Sequence, residues 1–183
     1  YMNKKLLEVK PGCDGLVLQP YWGPGLKKPN ARGAIIGFSD CHTLYHLYRA
    51  IIEGIAYALR DGLEGIERRQ HAKVKEIAVS GGGSQSDAIC QITADIFGVP
   101  VFRVQTYETA SLGCAIVGYK YLGVYNSYEE AVKNMVRRSK IFYPNMENHE
   151  KYDYLFKKVY LKMFGRLSDM YVDLKKFSKK YSD

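Results

Sequence analysis

The sequence predicts an α/β fold with long helices that ends in an amphipathic helix, and three patterns carry that expectation. Short apolar runs bounded by glycine and proline alternate with segments whose apolar residues recur every three or four positions. Residues 76–122 run strand, helix, strand, helix, the order that gives a parallel sheet with a right-handed crossover. Residues 151–183 space Tyr152, Leu155, Phe156, Val159, Tyr160, Met163, Leu167, Met170, Tyr171, Leu174 and Phe177 on one helical face.

In chain order, the first element is a short strand at residues 15–20, stopped by Pro20. Residues 21–32 (YWGPGLKKPNAR) are rich in Pro, Gly and Lys and read as an exposed loop. A second short strand at 33–38 is expected to pair antiparallel with the first. A long helix follows, with Ser39 or Asp40 as its cap, since either side-chain oxygen can accept from first-turn amides. Its apolar stripe is Leu44, Leu47, Tyr48, Ile51, Ile55, Leu59, Leu63 and Ile66. Gly54, Gly62 and Gly65 inside it each cost about 1 kcal/mol relative to alanine, which predicts close packing against another backbone. Arg68, Arg69 and His71 near its end suit the negative pole of the helix dipole.

A strand at 76–80 then leads into the turn Gly81-Gly82-Gly83 and a helix at 86–97. Gly98 fits a left-handed stop, and Pro100 forbids continuation. A strand at 101–104 and a helix at 109–122, ended by Gly123, come next. The capping box Ser127-Tyr128-Glu129-Glu130 starts a helix expected to run through Arg138.

At 183 residues the chain suits one domain with a helical appendage, long enough to bury a real core. Charged residues are 25% and apolar residues 46%, which excludes disordered and collagen-like classes. No apolar run reaches membrane-spanning length and the start lacks a signal-peptide core, so a soluble chain is expected. Cys13, Cys41, Cys90 and Cys114 form no C-x-x-C pair. They are expected to be buried, reduced thiols of a cytoplasmic protein. Of the net charge of +8, the segment 151–183 supplies +5, from nine Lys/Arg against four Asp/Glu. Those lysines most simply form the solvated face of the terminal helix, so neither nucleic acid nor an anionic membrane is expected as partner. A polyanionic small substrate stays open.

The sharpest local feature is Ala78-Val79-Ser80-Gly81-Gly82-Gly83-Ser84-Gln85-Ser86-Asp87. Three glycines between a buried strand and a helix start let a bulky anion approach backbone amides backed by the helix dipole. Ser84 and Ser86 add hydroxyls. A turn that needs glycine for geometry alone is the equal alternative. Neither a P-loop nor G-x-G-x-x-G is present, and the charge of Asp87 opposes phosphate.

Three more stretches accompany it. They are Asp14-Gly15-Leu16-Val17-Leu18-Gln19-Pro20-Tyr21 with Pro29-Asn30-Ala31-Arg32-Gly33-Ala34-Ile35-Ile36-Gly37, the run from His46 to Arg60, and Glu108-Thr109-Ala110-Ser111-Leu112-Gly113-Cys114-Ala115. Together with the glycine turn and Tyr143-Pro144, they resemble the FGGY family of carbohydrate kinases over about residues 11–160, in colinear order. Phe38 and Cys114 are small departures, at positions where that family favours an aliphatic residue and alanine.

The resemblance implies an actin/hexokinase-like, ribonuclease-H-like fold. Residues 1–145 would be a nucleotide-binding C-terminal kinase domain, incomplete on its N-terminal side, and 146–183 a helix packed on it. It implies transfer of the γ-phosphoryl of ATP, with Mg²⁺, to a sugar or polyol hydroxyl in a cleft between two domains. By motif position Gly82 and Ser86 would contact the nucleotide and Gly81 and Gly83 would shape the loop, with Ser84 beside them. The family's catalytic aspartate lies upstream of the region matching Asp14-Gly15. The fragment alone is therefore expected to be inactive, with the sugar bound through an upstream half, and to self-associate through an unpaired sheet edge or an exposed apolar interface. A non-catalytic nucleotide-binding or interaction module of the same fold is the alternative.

Other residues receive structural assignments. Asp14 reads as a turn residue, Asp40 as a cap and Asp61 as a helix-surface charge. His42 and His46 share a helix face but lack a third metal ligand, so no metal site is expected. Trp22 is expected to pack onto the domain rather than line a cleft. Glu53 and Arg49 read as an ion pair on the helix face, although Glu53 also matches the family signature, which leaves room for a role near the cleft.

Overall fold

The strands form two separate sheets, the first packed on the long helix and the second on the helix that follows the glycine turn, and these two helices pack on each other. The computed structural model describes residues 2–23 and 28–181, so residues 24–27 of the Pro/Gly/Lys-rich loop lie outside the described residues. A short helix α1 (Met2–Lys5) leads through two 3₁₀ turns to β1 (Val17–Gln19), which pairs antiparallel with β2 (Ala34–Ile36), as expected. The 27-residue helix α2 (Leu44–Gln70) follows. The second sheet contains β3 (Ile77–Val79), β4 (Val101–Val104) and β5 (Arg138–Phe142), in that order. Strands β3 and β4 are parallel, joined through α3 (Asp87–Phe97), and β4 and β5 are antiparallel. Helices α4 (Thr109–Tyr121) and α5 (Tyr128–Met135) separate β4 from β5. The chain ends in α6 (Met146–Leu155), a π turn at Phe156–Tyr160 and α7 (Leu161–Tyr181).

Tyr57 of α2 meets Phe156 and Tyr160 of the π turn at ring-centroid distances of 5.8 and 5.3 Å, among Leu6, Val17, Ile92 and Ile96. Each large side chain buried there contributes roughly 1.5–3 kcal/mol. The terminal helix is thus part of the main core. Asp95, buried on α3, accepts from the amide of Asn145 (2.8 Å) and the side chain of Asn148 (2.9 Å), which fixes the start of α6. Among the described residues no helix is long and apolar enough to cross a membrane.

Several expectations need correction. The cap of α2 is Thr43, whose hydroxyl and amide both meet the His46 ring, and not Ser39 or Asp40. Asp40 lies instead in a turn closed by the His42 amide on the Ser39 carbonyl (3.3 Å), with the His42 ring held by the amide of Ser39 (2.8 Å) and the carbonyl of Cys13 (3.0 Å). The inward face of α2 is Arg49, Ala50, Glu53, Gly54, Ala56, Tyr57 and Arg60, whereas Leu44, Ile55, Leu59 and Ile66 of the apolar stripe are exposed. Gly54 is closely packed as expected, but Gly62 has nothing nearby and Gly65 only the tip of Arg68. Helix α5 stops at Met135, because Arg137 and Gln105 exchange backbone and side-chain hydrogen bonds that start β5. Cys13 and Cys90 are buried as expected, but Cys41 and Cys114 are exposed. Trp22 covers Gly33 yet stays 67% exposed, and it lines a groove of about 680 Å³ beside α7.

Candidate functional site

The glycine turn joins the end of β3 to the start of α3. Gly81 takes φ +81° and ψ −179°, a conformation that a side chain would strain. Its amide donates to the Tyr107 carbonyl at 3.1 Å, tying the turn to the segment after β4. Gly82 to Gln85 then close one 3₁₀ turn. The buried Ser84 hydroxyl donates to the Gly81 carbonyl at 2.7 Å, and the Ser86 hydroxyl accepts from the amide of Ile89 at 3.4 Å. Both hydroxyls hold the turn from within. What faces outward is backbone: Gly81, Gly82 and Gly83 are exposed, and a Cβ on any of them would meet open space. Among the described residues the amides of Gly82 and Gly83 find no protein acceptor.

Below the turn lies a charged cradle that the sequence reading missed. Arg103 of β4 donates through Nη1 to the carbonyls of Ser84 (2.9 Å) and Gln85 (3.2 Å) and through Nη2 to Asp87 Oδ1 (2.7 Å). Lys140 of β5 donates to Asp87 Oδ2 at 2.5 Å. Arg103 and Lys140 are cross-strand partners, so the β4–β5 register puts both cations beside one carboxylate. The hydrogen bond from Lys140, with the field of Arg103, holds the Asp87 carboxyl below the usual carboxylate range. Running the preceding helix through Arg138, with no strand expected after it, hid this pairing. A hollow of about 280 Å³ opens beside the turn, lined by Ser84, Gln85, Arg103, Gln105, Tyr107 and Ser139.

The other chemistry-bearing residues are structural ties. Glu53 is 2% exposed and Arg49 3%, so their pair at 2.7 Å is buried rather than on a helix surface. Arg49 also donates to the carbonyls of Leu6 and Val9 and to the Tyr152 hydroxyl, and that hydroxyl donates to Glu53 at 2.8 Å. Burial pushes the Glu53 carboxyl up, against the opposing pull of Arg49. The network binds the chain before β1 to α2 and α6. Cys13, whose thiol is pushed up by burial, bonds Glu53 at 3.4 Å. Asp14 sits at φ +50° in the turn before β1 and meets His46 at 3.3 Å. Asp40 is exposed, and Asp61 lines a groove beside Gly62 and Lys28, far along α2 from Asp14. The glycine turn and the three aspartates are therefore not gathered into one site. Among the described residues no three His, Cys, Asp or Glu groups are placed to hold a metal ion.

Comparisons with known proteins bear on this arrangement. Residues 1–121 match the FGGY family of carbohydrate kinases, C-terminal domain. The chain is 37% identical over 159 residues to the uncharacterized sugar kinase YgcE of Escherichia coli, covering 87% of this chain and 32% of that protein. It is 34% identical over 169 residues to xylulose kinase of Staphylococcus epidermidis, covering 90% and 34%. Among solved structures, ligand-bound xylulose kinase from Lactobacillus acidophilus superposes with a TM-score of 0.83 at 25% identity, over 94% of this chain and 35% of that one. Xylulose kinase from Rhodospirillum rubrum gives 0.79 at 30% identity, over 93% and 34%. The chain spans about a third of the length of these relatives. With the matched region holding both strands of the first sheet, the long helix and the glycine turn, the chain belongs to the FGGY family of carbohydrate kinases, as part of its C-terminal domain.

Proposed function

We propose that this chain is the ATP-binding portion of a cytoplasmic kinase that transfers the γ-phosphoryl of ATP to a hydroxyl of a sugar or polyol. The observation that carries the reading is the glycine turn: two exposed, unsatisfied amides in the turn that leads into α3, with no side chain between them and solvent. Gly81 and Gly83 shape the loop, Gly82 and Ser86 lie against the nucleotide, and Ser84 fixes the turn from inside. Relatives named xylulose kinase and glycerol kinase favour a sugar or polyol as acceptor.

The residues present fit a nucleotide better than a bare metal ion. Asp87, the carboxylate nearest the turn in sequence, is already paired with two cations. Mg²⁺ would therefore come with the phosphates, where it would neutralise charge developing in transfer. This chain contributes amides that orient the phosphates and a surface on which a second domain closes to exclude water. The catalytic base and the sugar pocket are assigned to the remaining two thirds of a protein the length of its relatives, so the fragment alone transfers no phosphate. An uncovered apolar helix supports that assignment. Helix α4 buries only Ile116, while Val117, Tyr119 and Tyr121 are exposed, as befits an element built to meet more protein.

Calorimetric titration of the chain with Mg-ATP tests the proposal. Saturable binding is expected, and Gly82→Val should abolish it while leaving the thermal midpoint near that of the parent, because the added side chain enters open space. Tight binding untouched by that substitution would sink the site.

A further inference from the structure

The sign of Asp87 poses a problem for an anion at this turn. It occupies the first position of α3, where a carboxylate favours the helix but repels phosphate arriving at the turn just before it. The cradle answers it. Arg103 and Lys140 both reach Asp87, so the three groups carry a net charge of one positive unit at the turn instead of one negative. Arg103 is also the more sheltered cation, with a quarter of its side chain exposed against half for Lys140. Its other guanidinium nitrogen donates to the carbonyls of Ser84 and Gln85, pairing two oxygens of the loop with a cation.

We infer that Arg103, assisted by Lys140, is a positioning residue for the nucleotide: it cancels the charge of Asp87 so that phosphate can approach the amides of Gly82 and Gly83. The inference rests on the nucleotide reading above and adds to it the residues that set its affinity. It also explains why an acidic helix start can be kept. Asp87 anchors α3 to both neighbouring strands, and the strands return the charge that the anchor removes.

The test is a charge series read by Mg-ATP titration. Affinity should follow the net charge of the cradle. Arg103→Met lowers it by one unit and should weaken binding about tenfold at low salt. Asp87→Asn raises it by one unit and should tighten binding. The double variant restores the parental charge and should return to within about twofold of parental affinity. Raising the salt to about 1 M should shrink the Arg103→Met deficit, because exposed charges are then screened within a few ångströms. Lys140→Met, on the exposed edge strand, should shift affinity in the same direction as Arg103→Met, and serves where that variant fails to fold.

A purely structural clamp gives a different pattern: the double variant stays as weak as Arg103→Met at every salt concentration. That outcome, or an unchanged affinity in both cation variants, overturns the inference and leaves the nucleotide site standing. A parental chain that binds no Mg-ATP counts against the site itself, and the inference falls with it.

Discussion

Single residues show where spacing informs and where it cannot. The four-residue spacing of Arg49 and Glu53 announces an ion pair, but its burial depends on Tyr152, 99 residues beyond Glu53. No local pattern carries that. The glycines of α2 divide in the same way. A Cβ at Gly54 would lie 2.5 Å from the Leu18 carbonyl oxygen, so Gly54→Ala should lose about 1–3 kcal/mol through overpacking against β1. Gly62 faces open space, and Gly62→Ala should gain up to about 1 kcal/mol from helix propensity. Urea unfolding of the two variants against the parent reads both signs. Equal shifts would mean that the β1 contact is softer than the geometry implies.

Elements were legible in proportion to how local their causes are. The strands at 17–19, 34–36, 77–79 and 101–104 and the helices of the middle region follow from punctuation by glycine, proline and caps. Strand β5 did not. Its Arg-Ser-Lys-Ile-Phe sequence carries two charges and is exposed at all but Phe142, so it lacks the alternation of a half-buried strand. Only pairing with β4 makes it one. The periodicity of α2 was correct, but its apolar stripe and its buried face differ, because a network of charge and tyrosine occupies the inside. The glycine turn was visible as a motif, whereas the cradle under it depends on the missed strand. Helices α3 and α4 make a matched test of burial. With five buried residues in α3 and one in α4, amide exchange followed by mass spectrometry should be markedly faster in α4 of the free chain. Equal protection would show that α5 alone covers α4 adequately.

At the scale of the molecule, family and fold class were readable because the motifs occur in colinear order, which a fold can hardly share by chance. The open surfaces were less visible. Among the described residues the two sheets share no hydrogen-bonded strand pair, α4 packs mainly on α5, and the outward stripe of α2 exposes Leu44, Leu59 at 60%, and Ile66. We propose that the free chain covers some of this surface by self-association. Sedimentation velocity over a hundredfold concentration range should show growing species, and a monomer throughout would contradict it. The buried network of Arg49, Glu53 and Tyr152 has one last consequence, in the time of synthesis. Ribosomes add roughly 5–20 residues per second. Glu53 is made 99 residues before the tyrosine that completes its site. For about 5 to 20 s the nascent chain therefore holds a charged pair with its lid unmade, and the α2 core cannot close until Tyr152, Phe156 and Tyr160 have been delivered.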